Sequence, residues 1–164
     1  MIADIIVFLF LLILLCFSLV LFFGAPYLPT MNPQVATALK LADLKPGQTL
    51  LELGSGDGRV LIAAARSGLN AIGYELNPIM FLISWLRTRR YRSQVKLKFA
   101  NFWHASWPPC DAIYVFLLPR LMDKLEAKIH SEGMKDAIVI SFAFRFTKLK
   151  PIKEDHGVLL YSLK

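Results

Sequence analysis

The chain opens on a stretch with no polar period at all: from Ile5 to Phe23 it reads IIVFLFLLILLCFSLVLFF, without charge or proline. A helix of that length spans ~29 Å at ~1.5 Å per residue, about one hydrocarbon thickness, so the pattern predicts a transmembrane helix. GAPYLPTMNPQ (24–34) interrupts it. Three prolines in that short stretch disfavour continuous helix and predict an extended connector. Beyond it, VATALKLADL (35–44) has helical spacing of apolar residues, while TLLEL (49–53) reads as a buried strand. Further helices are predicted over 58–68, 78–91 and 120–133, and further strands over 70–76, 95–101, 112–118 and 137–144. The last segment, KLKPIKEDHGVLLYSL (148–163), reads as a hairpin. Such alternation predicts an α/β fold: a seven-strand, mainly parallel sheet with helices on both faces and a C-terminal antiparallel pair. The boundaries follow as a transmembrane anchor at 1–24, a Pro-rich connector at 25–34 and one domain at 35–164.

Charge adds a direction. Of 19 Lys and Arg residues none lies within residues 1–30, which predicts a single-pass membrane protein whose C-terminal domain is cytoplasmic. A basic surface beside an anionic leaflet makes the membrane the first expected partner. Cys16 and Cys110 are too separated to suggest a pair, and both read as packing residues. The cluster RTRRYR (87–92) is explained by a solvated helix end or a leaflet contact before nucleic acid. His104, His130 and His156 have no ligand spacing, so no metal is expected.

The chemistry concentrates in LLELGSGDGR (50–59), where three glycines follow the first strand and open a helix. In parallel sheets ligands bind beyond the carboxyl ends of the strands, at such a turn. A phosphate-binding P-loop would need Gly-Lys-Ser/Thr, and a dinucleotide fingerprint would need glycine where Arg59 stands. What remains is an acidic residue, Glu52, then Gly54-x-Gly56-x-Gly58, with Glu75 ending the next strand at the distance suited to accept hydrogen bonds from a ribose. Glu52 and Asp57 place negative charge where a ligand's cationic groups would come.

ELGSGDG, strengthened by GYELNP, resembles motif I of the class I S-adenosylmethionine-dependent methyltransferases. With the apolar start, PYLPT, NFW and VFLLPRLMDKLEAKI, the chain is similar to the small membrane-anchored protein-lysine methyltransferases that modify the ATP synthase c-subunit and the adenine nucleotide translocase. The resemblance implies a Rossmann-like methyltransferase sheet and S-adenosylmethionine as cofactor. It implies a cofactor site of Glu52, Gly54, Ser55, Gly56, Asp57, Gly58, Glu75, Leu76, Asn77, Asn101 and Phe102. That family usually has Asp at the position of Asn101, so a weakened hold on the adenine is expected. Around the transferred methyl the candidates are Tyr27, Thr30, Trp103, Phe116 and Pro119, each also readable as ordinary packing. Amino-methylating nucleic-acid enzymes commonly carry Asn/Asp-Pro-Pro-aromatic after the fourth strand, where this chain has VFLLP. The expected acceptor is therefore a lysine of a membrane or membrane-proximal protein. The alternatives are a lipid, quinone or other small amphiphile as acceptor, or a membrane-anchored cofactor-binding module without turnover.

Overall fold

A computed structural model describes residues 1–23 and 28–163, with side chains of the first segment described through Ser18. The apolar run forms helix α1 (Ile2–Phe23). Among the described residues, however, no helix is long and apolar enough to cross a membrane. Within α1, Cys16 and Phe17 are partly buried, and α1 packs on a later helix of the domain. The predicted transmembrane anchor at 1–24 is thereby corrected, and so is the single-pass topology with a cytoplasmic domain that rested on it.

Helix α2 (Asn32–Ala42) starts three residues before the expected boundary, inside the Pro-rich connector. Pro33 lies in its first turn, where a missing N–H costs nothing and a fixed φ favours helix. Then follow β1 (Thr49–Leu53), α3 (Arg59–Arg66), β2 (Asn70–Glu75), α4 (Pro78–Thr88), β3 (Val95–Phe99) and β4 (Ala112–Val115). After α5 (Met122–Ser131) come β5 (Ile138–Phe142), β6 (Lys153–Asp155) and β7 (Val158–Ser162). Short 3-10 turns at Arg89–Tyr91 and Pro119–Leu121 account for the remaining ends of the predicted helices.

The seven strands form one sheet in the order β3-β2-β1-β4-β5-β7-β6. β1 to β5 pair in parallel, while β7 runs antiparallel to both β5 and β6, as the hairpin predicted. Successive strand residues point to opposite faces and build two cores. Leu51, Leu53, Ile113 and Val115 pack beneath α5, whereas Leu50, Ala112, Tyr114 and Ile140 pack beneath α2 and α3. Strand order reverses direction between β1 and β4, and a ligand crevice belongs beyond the carboxyl ends of that pair.

Candidate active site

A cavity of ≈ 320 Å³ opens at that point. Its wall combines the glycine turn after β1, the end of β2, the segment after β3, and Tyr114, Phe116 and Leu117 from β4 and beyond. The turn is held by backbone alone on one side: the N–H groups of Gly54 and Ser55 both donate to the carbonyl of Tyr74, at 2.9 Å each. Gly54 sits at φ +88°, and a Cβ there would meet nothing within 4 Å, so its bareness faces open space. Gly58 has a different reason. It does not line the cavity, and at φ +77° a Cβ would come 2.4 Å from Ser84 Oγ of α4, so this glycine serves helix packing.

Glu75 closes β2 inside the cavity wall, and its carboxylate is committed to the backbone. It accepts from Gly56 N at 2.7 Å, Leu76 N at 3.0 Å and Asn77 N at 2.8 Å. The residue expected to hold a ribose thus also shapes the turn on which a ligand would rest. Burial raises its pKa against the opposing pull of those three donors. Asn77 caps α4: its side-chain oxygen accepts from Ile79 N at 2.9 Å and Met80 N at 3.2 Å, ahead of Pro78.

Glu52 is 4% exposed, and its carboxyl is pushed well above the ordinary value, first by burial and then by the charges of Glu75 and Asp57. Its Oε2 has no hydrogen-bond partner. The same holds for Ser55 Oγ and Asn77 Nδ2, and all three residues belong to the cavity wall. Buried polar atoms left unpaired cost about 1–3 kcal/mol each, and three around one cavity mark where polar ligand groups would be received.

Asp57 is less available than its position in the motif suggested. Arg59 holds it through Nε at 3.0 Å to Oδ1 and a terminal nitrogen at 2.9 Å to Oδ2, and Arg87 donates to Oδ2 from α4. Burial pushes this carboxyl up, but the two guanidinium groups together outweigh it and hold the pKa low. Asn101 spends its side-chain oxygen on Trp103 N at 3.0 Å, turning the chain after β3 so that Phe102 and Trp103 reach the cavity with ring centroids 4.6 Å apart.

Of the residues expected near a transferred methyl, Thr30, Trp103 and Phe116 line the cavity, Pro119 does not, and Tyr27 lies outside the described residues. Thr30 is fixed from two sides. Its hydroxyl lies 3.0 Å from Tyr114 Oη, and its carbonyl accepts from Arg59 at 2.8 Å. Tyr114 pairs in register with Glu52 on the next strand. Sequence reasoning missed Tyr114, which sits in an apolar strand and reads as core, and missed Phe17, which reaches the cavity from α1. Cys110 is inert at neutral pH, its thiol pushed up to about 12 chiefly by burial. Among the described residues no group of His, Cys, Asp and Glu could hold a metal ion.

Comparison with known proteins adds to this geometry. Residues 52–153 match the family model described as the ANTKMT methyltransferase domain. The ATP synthase C-subunit lysine N-methyltransferase of Homo sapiens is 35% identical over 130 residues, covering 77% of this chain and 54% of that protein. The adenine nucleotide translocase lysine N-methyltransferase of Mus musculus is 34% identical over 132 residues, covering 77% of this chain and 56% of that protein. The chain thus spans about half the length of these relatives. An RNA methyltransferase from Salinibacter ruber, solved in complex with S-adenosyl-L-homocysteine, superposes with a TM-score of 0.73 at 26% identity, covering 82% of this chain and 91% of that one.

Proposed function

Because the chain belongs to the ANTKMT methyltransferase domain family, we propose that it is an S-adenosylmethionine-dependent protein-lysine N-methyltransferase. Residues 35–164 are the methyltransferase domain in this reading, with 25–34 the connector that leads into it. The observation that carries it is the convergence of an open glycine cradle at Gly54 with three buried, unpartnered polar groups on one cavity at the β1–β4 switch point. The relatives named for lysine acceptors support the choice of acceptor.

When bound, S-adenosylmethionine supplies a methyl group activated by a sulfonium. The residues of this cavity fit such a group. The turn from Gly54 to Asp57 gives a bare wall, Glu75 offers the remaining acceptor capacity of Oε2, and Leu76 and Asn77 border the same wall. Asn101 and Phe102 provide a polar edge and an aromatic face for the adenine. Glu52 supplies a buried carboxyl whose ionised form a nearby ammonium or sulfonium would favour. Thr30, Trp103 and Phe116 belong to the rest of the wall, through which an acceptor side chain would come. A lysine must arrive as the neutral amine, and a largely apolar wall disfavours its charged form. Positioning accounts for much of the acceleration in such an in-line displacement.

Labelled S-adenosylmethionine incubated with the purified chain and a cell extract tests the reading. Label on a protein lysine, located by mass spectrometry, is expected. Label in RNA, in the organic phase, or nowhere overturns it, the first of these being the outcome that the Salinibacter ruber likeness would favour.

A further inference from the structure

A second groove, which shares Arg59 with the cavity above, lies between α2, α3 and the end of α4 with a volume of ≈ 1060 Å³. Its floor is apolar, from Val35, Leu39, Ile62 and Ala63. Its rim carries Lys40, Arg59, Arg66, Arg87, Arg89 and Arg90. Among the described residues the one carboxylate on that rim is Asp43, already 2.9 Å from Lys45. The RTRRYR cluster supplies three of the six cations, but Lys40 comes from α2 and Arg59 and Arg66 from α3. Helix dipoles account for a cation in each last turn. They do not require cations of three helices to meet around one groove.

Like charges so gathered raise the local potential and call for an anion, and guanidinium groups suit phosphate oxygens through paired N–H donors. The concave shape, apolar floor and convergence from three sides fit a compact ligand better than a polymer tracked along a face. We propose that this groove binds an oligophosphate, free or carried on a small molecule, and that occupancy is felt at the glycine turn through Arg59, Asp57 and Arg87. Arg59 and Arg87 line the groove and at the same time hold Asp57, which stands between Gly56 and Gly58. A phosphate in the groove competes with Asp57 for them. Anything that alters this turn alters ligand binding in the first cavity, and the coupling is reciprocal.

Tripolyphosphate titrated into the full chain by calorimetry tests the site. Saturable binding is expected, with Kd raised at least tenfold in Arg66→Gln/Arg89→Gln/Arg90→Gln and unmoved in Lys135→Gln/Lys148→Gln/Lys150→Gln, which removes equal charge elsewhere. S-adenosylhomocysteine affinity without tripolyphosphate should be the same in both variants. Equal loss in the two variants overturns the site in favour of a diffuse field, and binding of poly(U) RNA without saturable tripolyphosphate binding overturns it in favour of a polymer. The coupling is read separately: saturating tripolyphosphate should shift S-adenosylhomocysteine affinity at least threefold in the natural chain and less in Arg87→Gln, where Arg59 alone still links the groove to Asp57. An unchanged affinity refutes the coupling. The tripolyphosphate titration stands whether or not the first cavity takes S-adenosylmethionine, so the two readings fail independently.

Discussion

Replacing Glu75 with alanine separates two roles that coincide in one carboxylate. From the sequence, the substitution should cost only ligand, about 1.5–3 kcal/mol if a charged acceptor of ribose hydroxyls is lost. The structure adds three backbone donors, from Gly56, Leu76 and Asn77, that would lose their acceptor together. Hydrogen bonds to charged groups contribute about 1.5–3 kcal/mol each, but the total is reduced because burial already penalises this carboxylate and water could reach the freed donors from the cavity. A net destabilisation of about 3 kcal/mol remains, which for a chain of this size lowers Tm by about 6–12 °C. Glu75→Gln should lose less, since an amide oxygen can still accept from Leu76 and Asn77 while its NH2 opposes the Gly56 donor. Denaturant unfolding and thermal melts measure the first effect, and calorimetric titration with S-adenosylhomocysteine at a temperature where all variants are folded measures the second. An unchanged midpoint with weakened binding would show that Glu75 serves the ligand alone, and the backbone argument would fall.

Further perturbations follow from the same cavity. Glu52 has a raised pKa in the fold, so its contribution to the stability of the ligand-free chain is full below the ordinary value of 4.5 and is lost as pH rises through the raised one; Glu52→Gln should flatten that decline in melts across pH. A cationic ligand favours the ionised carboxyl, so binding should release a proton and tighten with rising pH, and titrations in buffers of different ionisation enthalpy should show no such release in Glu52→Gln. Gly58→Ala should destabilise by about 2 kcal/mol through positive φ and the clash at Ser84, whereas Gly54→Ala, strained but unobstructed, should lose more in S-adenosylhomocysteine affinity than Gly58→Ala does. Tyr114→Phe removes the partner of the Thr30 hydroxyl and should cost about 1 kcal/mol, with faster amide exchange confined to residues 28–32; unchanged exchange there would mean that Arg59 alone fixes the segment.

Regular elements were legible because their signals are local. The glycine-punctuated alternation of apolar runs marked all seven strands, and the acidic residue that closes β2 marked the cavity. What stayed hidden depends on contacts between distant residues. Nothing near Thr30 indicates that it meets Tyr114, 84 positions away. Asp57 read as a free charge because its second arginine comes from another helix. Gly58 read as part of a ligand cradle because the motif cannot tell a glycine that faces a ligand from one that admits a neighbouring helix. The apolar start misled for a related reason: hydrophobic length reports how a segment would partition, not whether part of it packs on a domain, as Cys16 and Phe17 do.

The sheet order has a consequence for how an acceptor protein, on the proposed function, could be held. Its two free margins are β3, with Lys96 and Lys98 exposed along it, and β6, a three-residue strand of Lys153, Glu154 and Asp155. Charged and very short margins resist pairing with a foreign strand. On the proposed function an acceptor would therefore not be read by lengthening the sheet, and its recognition would fall to side chains at the mouth lined by Leu28, Pro29, Thr30 and the segments that follow β3 and β4.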